Sequence, residues 1–279
     1  MNHQIPLTAR GIREFRIVVY RHYNTYGREL PWRQSTDPYE ILISEVMLQQ
    51  TQVRRVIPKY AQFLRAYPDI KSLAAARLHN ILTIWRGLGY NRRALALKRL
   101  AEVVVREFDG EIPSQAEALM TLPGIGRATA HAICAFAFNR PVVFIETNIR
   151  TVFIHHFFGN RAHVKDTEII RLVEQTLDAE RPRLWYWALM DFGAALKREH
   201  ANPSRTSAHY QKQTPFRGSN RQVRGMILKV VVREIEVCEE HLISEIPFSA
   251  KAVQHNLKQL EKEGFIVRRG AYIAVAEEQ

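Results

Sequence analysis

A turn with two glycines joins two helical stretches near the centre of the chain. Gly124 and Gly126 open this turn, and the stretch after Gly126 is rich in alanine, isoleucine and phenylalanine, which predicts a helix. The first N–H groups of that helix have no partners within it, and such a helix end can bind phosphate. The same pattern is typical of a plain connector, so these residues alone leave both interpretations open.

The residues after this helix bring a carboxylate to the end of an apolar segment. Residues 141–145 are an apolar run that leads directly into Glu146. We predict that Asn148 caps the helix that follows, because asparagine is a preferred N-cap residue. Glu146 would then be held at the end of a buried element.

The charge of the chain favours a polyanionic partner. The 279 residues carry a formal net charge of +12, and 46% of them are apolar. This apolar content excludes wholesale disorder, and the length suits one large core or two modest domains. The positive charge is spread along the chain, which favours nucleic acid as the partner, although a generally basic surface also fits the charge alone.

The cysteine content and the N-terminal sequence predict the cellular compartment of the protein. The chain has two cysteines, Cys134 and Cys238, which are far apart in amphipathic stretches. This argues for a reducing compartment and against a disulfide framework. The first ten residues lack the apolar segment of a secretory signal, and no stretch reaches membrane-spanning length. We therefore expect a cytoplasmic protein, nucleoid-associated in a prokaryote, with no membrane partner.

A candidate catalytic carboxylate lies inside a strongly predicted helix. Asp37 as N-cap, Pro38 at the first helical position and Glu40 in a capping box predict where this helix begins. Three of the four residues three or four positions from Glu45 are apolar, and partial desolvation would raise the pKa of its carboxyl. A raised pKa suits proton donation near neutral pH. The alternative is an ordinary helix glutamate paired with Arg54 or another base.

Two polar segments are candidates for contact with nucleic acid. Gln49, Gln50 and Thr51 follow the helix of Glu45, where amides can contact base edges or fill the space of an extruded base. They are equally compatible with a polar helix terminus. Tyr90 lies on a glycine turn followed by two arginines, an arrangement that suits base stacking and phosphate contact. The alternative is a loop tyrosine that packs against the rest of the fold.

The C-terminal part of the chain has a different character. Residues 201–220 are polar and basic with proline and glycine breaks, which indicates a linker or an irregular surface segment. Residues 221–236 and 249–263 predict amphipathic helices, and residues 265–275 predict a hairpin that turns at Gly270. This is the order of elements in a winged helix.

Several of these stretches together resemble the helix-hairpin-helix, endonuclease III-like DNA glycosylases. Within that family they are most similar to the MutY-type enzymes, which remove adenine mispaired with guanine or 8-oxoguanine. The resemblance covers about residues 30–200. It rests on Pro31-Trp32-Arg33, residues 44–53 (Ser-Glu-Val-Met-Leu-Gln-Gln-Thr-Gln-Val), 87–90 (Gly-Leu-Gly-Tyr), 122–127 (Leu-Pro-Gly-Ile-Gly-Arg) and 188–194 (Ala-Leu-Met-Asp-Phe-Gly-Ala).

The resemblance implies an all-α fold of two helical lobes, to which this chain adds a small winged-helix domain of the α+β class. We predict a helix-hairpin-helix glycosylase domain over residues 1–213 and the winged-helix domain over residues 214–279. Within the first domain, residues 30–138 form a helical barrel lobe. Residues 1–29 and 139–213 form the second lobe.

The resemblance also implies roles for individual residues. Glu45 corresponds to the family's general acid, Gln50 and Thr51 to residues beside the lesion pair, and Tyr90 to an aromatic wedge in the duplex. We further expect phosphate binding at Gly124 and Gly126, DNA contacts from Arg33, Gln49, Arg127 and Arg150, and catalytic roles for Glu146 and Asn148.

Purine chemistry agrees with two carboxylates of different pKa. A purine leaves its sugar more readily once N7 is protonated, and a nearby carboxylate can stabilise the oxocarbenium character that develops on the sugar. Glu45 is the candidate acid, and Glu146 is the candidate stabiliser or base. Because pyrimidines have no N7, Glu45 favours adenine over thymine or uracil as the target.

Three features depart from the family pattern. The family has aspartate at the position of Glu146, and a misplacement of about 1 Å can cost on the order of a hundredfold in rate. The cysteines of an iron-sulfur cluster would fall on Lys197, Ser204, Ser207 and Gln213, and because a cluster requires thiolates we predict none, with hydrogen bonds or packing in its place. The C-terminal segment stands where typical members have a domain that recognises 8-oxoguanine, which leaves the opposite base open.

Ala128 lies where bifunctional relatives carry a lysine that forms a Schiff base. We therefore predict a monofunctional glycosylase that uses water as its nucleophile. We expect a monomer whose partner is double-stranded DNA with a mispair, and no cofactor unless a monovalent cation binds at the hairpin. Two alternatives stay open, namely a thymine or uracil glycosylase of the same fold and a catalytically silent DNA-binding module.

Overall fold

The structure of the protein, a computed structural model, describes residues 8–159, 161–200, 202–212 and 214–277. Residues 1–7, which the sequence assigns to the second lobe, and Gln213, an expected cluster position, lie outside the described residues. Among the residues that are described, every helix is too short or too polar to span a bilayer.

The described residues form fourteen α-helices and one sheet of three strands, which confirms a mostly helical fold. Two 3-10 turns, Pro31–Arg33 and Pro203–Thr206, and one π-helical turn, Ile154–Phe158, occur between helices. The helices are α1 Ala9–Tyr26, α2 Pro38–Leu48, α3 Val53–Ala66, α4 Ile70–Ala74, α5 Leu78–Trp85, α6 Arg92–Glu107, α7 Ala116–Thr121, α8 Arg127–Phe138, α9 Thr147–Phe153, α10 Asp166–Thr176, α11 Pro182–Glu199, α12 Asn220–Glu234, α13 Glu239–Glu245 and α14 Ala250–Lys262. The strands are β1 Glu236–Cys238, β2 Ile266–Arg269 and β3 Tyr272–Val275.

The chain divides into two compact units. The first unit contains Met1–Glu45, Pro113–Thr121 and Ile125–Lys212. The second unit contains Val46–Ile112, Leu122–Gly124 and Gln213–Gln279. The chain therefore passes from one unit to the other within α2 and again at the glycine turn.

Helices α9 and α11 form the centre of the first unit, and α1 packs against α11. Phe153, Trp185 and Tyr186 are completely buried there. At Gly193 the two helices approach so closely that a Cβ atom would lie 2.2 Å from the carbonyl oxygen of Asn148. This contact leaves α9 little freedom to shift along α11.

In the second unit, α4 and α5 pack against α6, and the side chains of Phe63 and Trp85 are completely buried. Arg93, near the start of α6, is also buried. Its Nη1 donates to the carbonyl oxygens of Val46 and Met47, at 2.8 Å each. These bonds satisfy carbonyls at the C-terminal end of α2 that have no partner within the helix.

The C-terminal elements pack around a small antiparallel sheet. Helices α12 and α14 lie against each other, and the strands follow the order β1-β3-β2. Strands β2 and β3 form the predicted hairpin, with Gly270 in the turn at a φ of +64°. The two predicted helices are confirmed as α12 and α14, each to within two residues. Helix α13 and strand β1 were missed because neither is long enough to show a periodic pattern.

One local prediction is wrong and another holds only in part. Asp37 caps α2 through its carboxylate, but the Asp37 N–H donates to Ser35 Oγ (3.0 Å) and not to Glu40, so the predicted capping box does not form. Residues 201–220 were predicted to be a linker or an irregular surface segment, and most of the described residues there are exposed, but Ser204 is buried in a 3-10 turn. Its hydroxyl can be buried because it finds hydrogen-bond partners on α9.

Candidate active site

Glu45 lies on α2 in largely apolar surroundings. Ile41 and Leu42, one turn earlier, are buried, and Glu45 itself is only partly exposed. Burial, and after it the negative charge of Glu146, raise the pKa of the Glu45 carboxyl to about 8, and the positive charge of Arg33 opposes both effects. The rise expected from the apolar neighbours is therefore confirmed, and the carboxyl is mostly protonated at neutral pH.

Glu146 caps helix α9. Its Oε1 accepts the backbone N–H groups of Asn148 (2.6 Å) and Ile149 (2.9 Å), and its Oε2 accepts Asn148 Nδ2 (3.2 Å). The prediction that Asn148 is the N-cap is therefore wrong. The helix begins at Thr147, two residues earlier than that prediction requires, because the side chain of Glu146 supplies the acceptor for the first turn.

The environment of Glu146 differs from that of Glu45. Burial raises the pKa of Glu146, whereas the backbone N–H groups of Ile149 and Asn148 and the positive charges of Lys197 and Arg150 lower it. These donors and cations stabilise the ionised form. When the two carboxyls share one negative charge, that charge therefore belongs on Glu146.

Lys197, on α11, reaches the first turn of α9. Its Nζ donates to Asn148 Oδ1 at 2.8 Å. Burial lowers the pKa of Lys197, while the negative charge of Glu146 raises it. Asn148 thus bonds Lys197 through its oxygen and Glu146 through its nitrogen.

Arg33 and Arg150 each form a bidentate pair with a carboxylate. Arg33 Nη1 and Nη2 donate to the two oxygens of Asp191 at 2.8 Å each, and the Arg33 side chain is 6% exposed. Arg150 Nε and Nη2 donate to the two oxygens of Asp166, at 2.8 and 2.7 Å. The sequence predicted DNA contacts for both arginines, whereas in the structure both guanidinium groups bind carboxylates of the protein itself.

Gln49, Gln50 and Thr51 follow α2 in the second unit. Gln50 is exposed and has a φ of +53°. Gln49 lines a cavity of about 180 Å³ together with Arg93 and Gly124. Thr51 Oγ1 accepts a hydrogen bond from Arg93 Nη2 at 2.9 Å. Gln49 and Thr51 therefore lie beside Arg93, one of the two arginines after Tyr90 for which the sequence suggested phosphate contact.

Tyr90 faces two arginines of the second unit. It is 37% exposed and has a φ of +49°. Its hydroxyl accepts a hydrogen bond from Nη1 of Arg221, which lies on α12 (3.0 Å). The guanidinium carbons of Arg93 and Arg221 lie 5.7 and 5.9 Å from the ring centroid, within the range of cation–π attraction.

The glycine turn has the conformation that the sequence predicts. It joins α7 to α8, and Gly124 has a φ of +79°, which favours glycine. A Cβ atom at Gly124 would lie 2.8 Å from Ala96 Cβ. Gly126 is the N-cap of α8 and has no side chain to cap it, and Arg127 is the first helical residue.

The residues at the expected cluster positions do not suit an iron-sulfur cluster. Lys197 bonds Asn148, Ser204 Oγ lies 2.6 Å from Thr151 Oγ1, and Ser207 accepts the His209 N–H. An ammonium group and two hydroxyls cannot replace thiolate ligands. In the part of the chain that the structure describes, no group of three or more histidine, cysteine or acidic side chains is arranged to hold a metal ion.

Sequence reasoning missed several contacts of these residues. Asp191 and Arg221 contact predicted site residues but had no predicted role, and Lys197 was noted only as a replaced cysteine. Arg54, the alternative partner considered for Glu45, donates to Gln52 Oε1 (3.0 Å). Residues far apart in sequence meet at these contacts, and helical periodicity reports only the face on which a residue lies.

Comparison with known proteins identifies related sequences. A family model described as "HhH-GPD superfamily base excision DNA repair protein" matches residues 43–177. An adenine DNA glycosylase of Buchnera aphidicola subsp. Baizongia pistaciae is 37% identical over 179 residues, which are 62% of this chain and 50% of that protein. An adenine DNA glycosylase of Mycolicibacterium smegmatis is 34% identical over 229 residues, or 75% of this chain and 77% of that protein.

Among solved structures, a thermostable thymine-DNA glycosylase is similar in fold. It superposes with a TM-score of 0.61 at 28% sequence identity, over 71% of this chain and 96% of its own. The chain thus spans nearly all of this structure but about half the length of the Buchnera relative.

Proposed function

The chain belongs to the HhH-GPD superfamily of base excision DNA repair proteins, and on this basis we propose that it removes adenine mispaired with guanine or 8-oxoguanine by hydrolysing the N-glycosidic bond. The observation that carries the proposal is that Glu45, whose pKa burial raises to about 8, lies in the same unit as Glu146, whose carboxylate caps α9 and accepts two backbone N–H groups. Two relatives that carry the name adenine DNA glycosylase support the choice of base.

In the proposed mechanism Glu45 acts as the general acid. It gives its proton to N7 of the extruded adenine, which turns the base into a better leaving group as the bond from N9 to C1′ breaks. A carboxyl whose pKa is about 8 keeps its proton at neutral pH until N7 of the adenine accepts it. Because pyrimidines have no N7, this step favours a purine.

Glu146 stabilises the sugar cation that remains and orients the attacking water. Two backbone N–H groups and the Asn148 amide fix its carboxylate before the reaction begins, so little reorganisation is needed as charge develops. Water then adds to C1′ and gives its proton to the Glu146 carboxylate as the general base, which leaves the abasic sugar. With Ala128 at the position of the Schiff-base lysine, we expect a monofunctional enzyme with little strand cleavage.

For DNA we propose contacts from the residues of the turn and from the second unit. The uncapped start of α8 after Gly126, with Arg127 in its first turn, suits a phosphate. A monovalent cation at the hairpin would instead bind carbonyl oxygens of the turn. Tyr90 suits the aromatic wedge, and Gln50 and Thr51 suit contacts beside the lesion pair. The net charge of +12 supports double-stranded DNA as the partner.

We propose that residues 214–279 are a winged-helix domain and residues 1–213 the glycosylase domain. The order α12, β1, α13, α14, β2, β3, with β1 and β2 both paired to β3, supports the first assignment. Helix α12 packs against α14, and this packing gives the C-terminal elements a core of their own.

Removal of thymine or uracil opposite guanine is the second candidate function, and the similarity to a thymine-DNA glycosylase favours it. In that reaction the base has no N7, so the proton of Glu45 would have no equivalent acceptor. The two candidates therefore differ in their dependence on Glu45.

The test is single-turnover base release from duplexes with A·8-oxoG, A·G, G·T and G·U pairs. We expect adenine release by the parent protein and a loss of at least about a hundredfold in Glu45→Gln, since general acid catalysis contributes about 10²–10⁴-fold. Glu40→Gln, the same change on the same helix, is the matched control. Release from G·T that Glu45→Gln leaves unchanged would establish the second function, and tight mismatch binding without any release would establish a silent binding module.

A further inference from the structure

The first turn of α9 is held from two sides by residues at the expected cluster positions. Lys197 Nζ donates to Asn148 Oδ1 at 2.8 Å. Ser204 Oγ lies 2.6 Å from Thr151 Oγ1 and 3.3 Å from the carbonyl oxygen of Thr147. Ser204 and Thr151 are buried, so the contacts between them are shielded from water. Lys197 and Ser204 are therefore hydrogen-bonded to α9, the helix that Glu146 caps.

The contact made by Lys197 continues to the Glu146 carboxylate. Asn148 Nδ2 donates to Glu146 Oε2 at 3.2 Å, so a single amide group connects the ammonium to the carboxylate. With its oxygen held by Lys197, the amide cannot rotate by 180° without placing its NH₂ group against an ammonium. Lys197 therefore fixes which end of Asn148 faces Glu146.

The charged groups around Glu146 come from three helices. Lys197 lies on α11, Arg150 on α9 itself and Glu45 on α2, and both cations lower the pKa of Glu146. Arg150 is engaged with both oxygens of Asp166, which neutralises much of its charge locally. Lys197 is thus the cation whose hydrogen bonds lead to the Glu146 carboxylate.

We propose that Lys197 is a positioning residue for the proposed excision reaction, because it orients the Glu146 carboxylate through Asn148 and supplies the positive charge that faces it. Lys197 acts through Asn148 and does not touch the substrate. The inference rests on the proposed function for its catalytic consequence, but its structural content concerns Lys197, Asn148 and Glu146 alone.

The first test needs no substrate. The titration of the Glu146 carboxyl carbon is followed by ¹³C NMR in the parent protein, Lys197→Gln and Lys197→Met, with Glu146→Gln to assign the signal. We expect the pKa of Glu146 to rise by roughly one unit in both variants, since each loses the cation. Arg198→Met removes a cation from the next position of α11 and should leave the titration unchanged. An unchanged Glu146 titration in both Lys197 variants overturns the proposal.

The second test measures single-turnover adenine release across pH. We expect the acidic limb of the rate profile to move to higher pH in Lys197→Gln, and a rate about tenfold or more below that of the parent at neutral pH. Duplex affinity should change less than the rate. Lys197→Arg, which keeps the charge and a donor, should recover part of the loss.

The two proposals fail in different ways. If the parent protein releases no base from any duplex, the proposed function is wrong, and the Glu146 titration still decides the role of Lys197. If the parent releases adenine and the Lys197 variants match its rate and its pH profile, the role of Lys197 is wrong while the function stands. A loss of folding in Lys197→Met leaves Lys197→Gln, which keeps a polar group at the site, to decide.

Discussion

At the scale of single residues, the property that suits Glu45 to its proposed role also costs stability. Its carboxyl titrates at about 8 in the folded protein, against an ordinary value of 4.5, because burial disfavours the charge. The folded state therefore holds the proton more tightly than the unfolded chain. The ionisation of Glu45 therefore leaves the free energy of unfolding unchanged below about pH 4.5 and lowers it as the pH rises toward 8.

We accordingly expect Glu45→Gln to be more stable than the parent at high pH. Glutamine has the same shape and no charge, so the free energy of unfolding at pH 9 should rise by at least about 1 kcal/mol, since one pKa unit corresponds to about 1.4 kcal/mol. At pH 4 the two proteins should be equally stable. Urea denaturation at both pH values checks this, and equal stability at pH 9 would contradict the buried-charge explanation.

The sequence predicted the raised pKa of Glu45 correctly, but it predicted the wrong N-cap residue for α9. Burial is the largest cause of the raised Glu45 pKa, and the apolar neighbours on its own helix indicate that burial, whereas the contributions of Glu146 and Arg33 depend on the tertiary structure. The N-cap depends on where a helix begins, and glutamate is seldom preferred there, so the choice of Asn148 over Glu146 followed the usual preference and was wrong. The contact from Lys197 joins residues 49 positions apart, beyond what a local pattern can show.

At the scale of secondary-structure elements, the packing of α9 against α11 determines where Glu146 lies. The two helices approach closely at Gly193, where a Cβ atom would meet the Asn148 carbonyl oxygen at 2.2 Å and its Cβ at 2.8 Å. Neither atom belongs to the flexible end of a side chain. A side chain at Gly193 therefore forces the two helices apart.

We expect Gly193→Ala to lower the free energy of unfolding by about 1–3 kcal/mol or more, the usual cost of overpacking. Adenine release should fall as well, since the displaced helix begins next to Glu146. Gly225→Ala is the matched control, because Gly225 lies within α12 with no heavy atom within 4 Å of the added Cβ. That change should be neutral or stabilising by up to about 1 kcal/mol. Chemical denaturation of both variants gives the comparison, and equal effects would show that the close approach is unimportant.

Long elements were predictable from sequence and short ones were not. Helices α12 and α14, of 15 and 13 residues, begin and end within two residues of the predicted positions. The polar sequence around Ser204 predicted a linker or an irregular surface segment and gave no sign of a 3-10 turn with a buried hydroxyl. Only the tertiary structure reveals that its hydroxyl is satisfied on α9.

At the scale of the whole molecule, the C-terminal elements and residues 46–112 belong to one compact unit. Glu263, which follows α14, bonds Arg92 on α6 and Arg224 on α12. Arg221 on α12 bonds the hydroxyl of Tyr90. Helix α12 thus contacts Tyr90, the residue proposed to enter the duplex.

We expect Tyr90→Phe and Arg221→Ala to be non-additive in their effect on duplex affinity. Each removes one side of the same hydrogen bond, so the double variant should lose less affinity than the sum of the single losses, with a coupling of about 0.5–3 kcal/mol. Mismatch binding measured at one fixed salt concentration completes the cycle. Arg217→Ala is a basic control in the same segment, and additivity of Tyr90→Phe with Arg221→Ala would contradict the coupling.

The central claim is that protonated Glu45 drives adenine release, and the dependence of the single-turnover rate on pH tests it most directly. In the parent protein, adenine release from an A·G duplex should fall as the pH rises through about 8, where Glu45 loses its proton. Glu45→Gln should be slow at every pH and should lack this basic limb. A parent profile that stays flat up to pH 9, or the same basic limb in Glu45→Gln, would contradict the role of Glu45 as the acid.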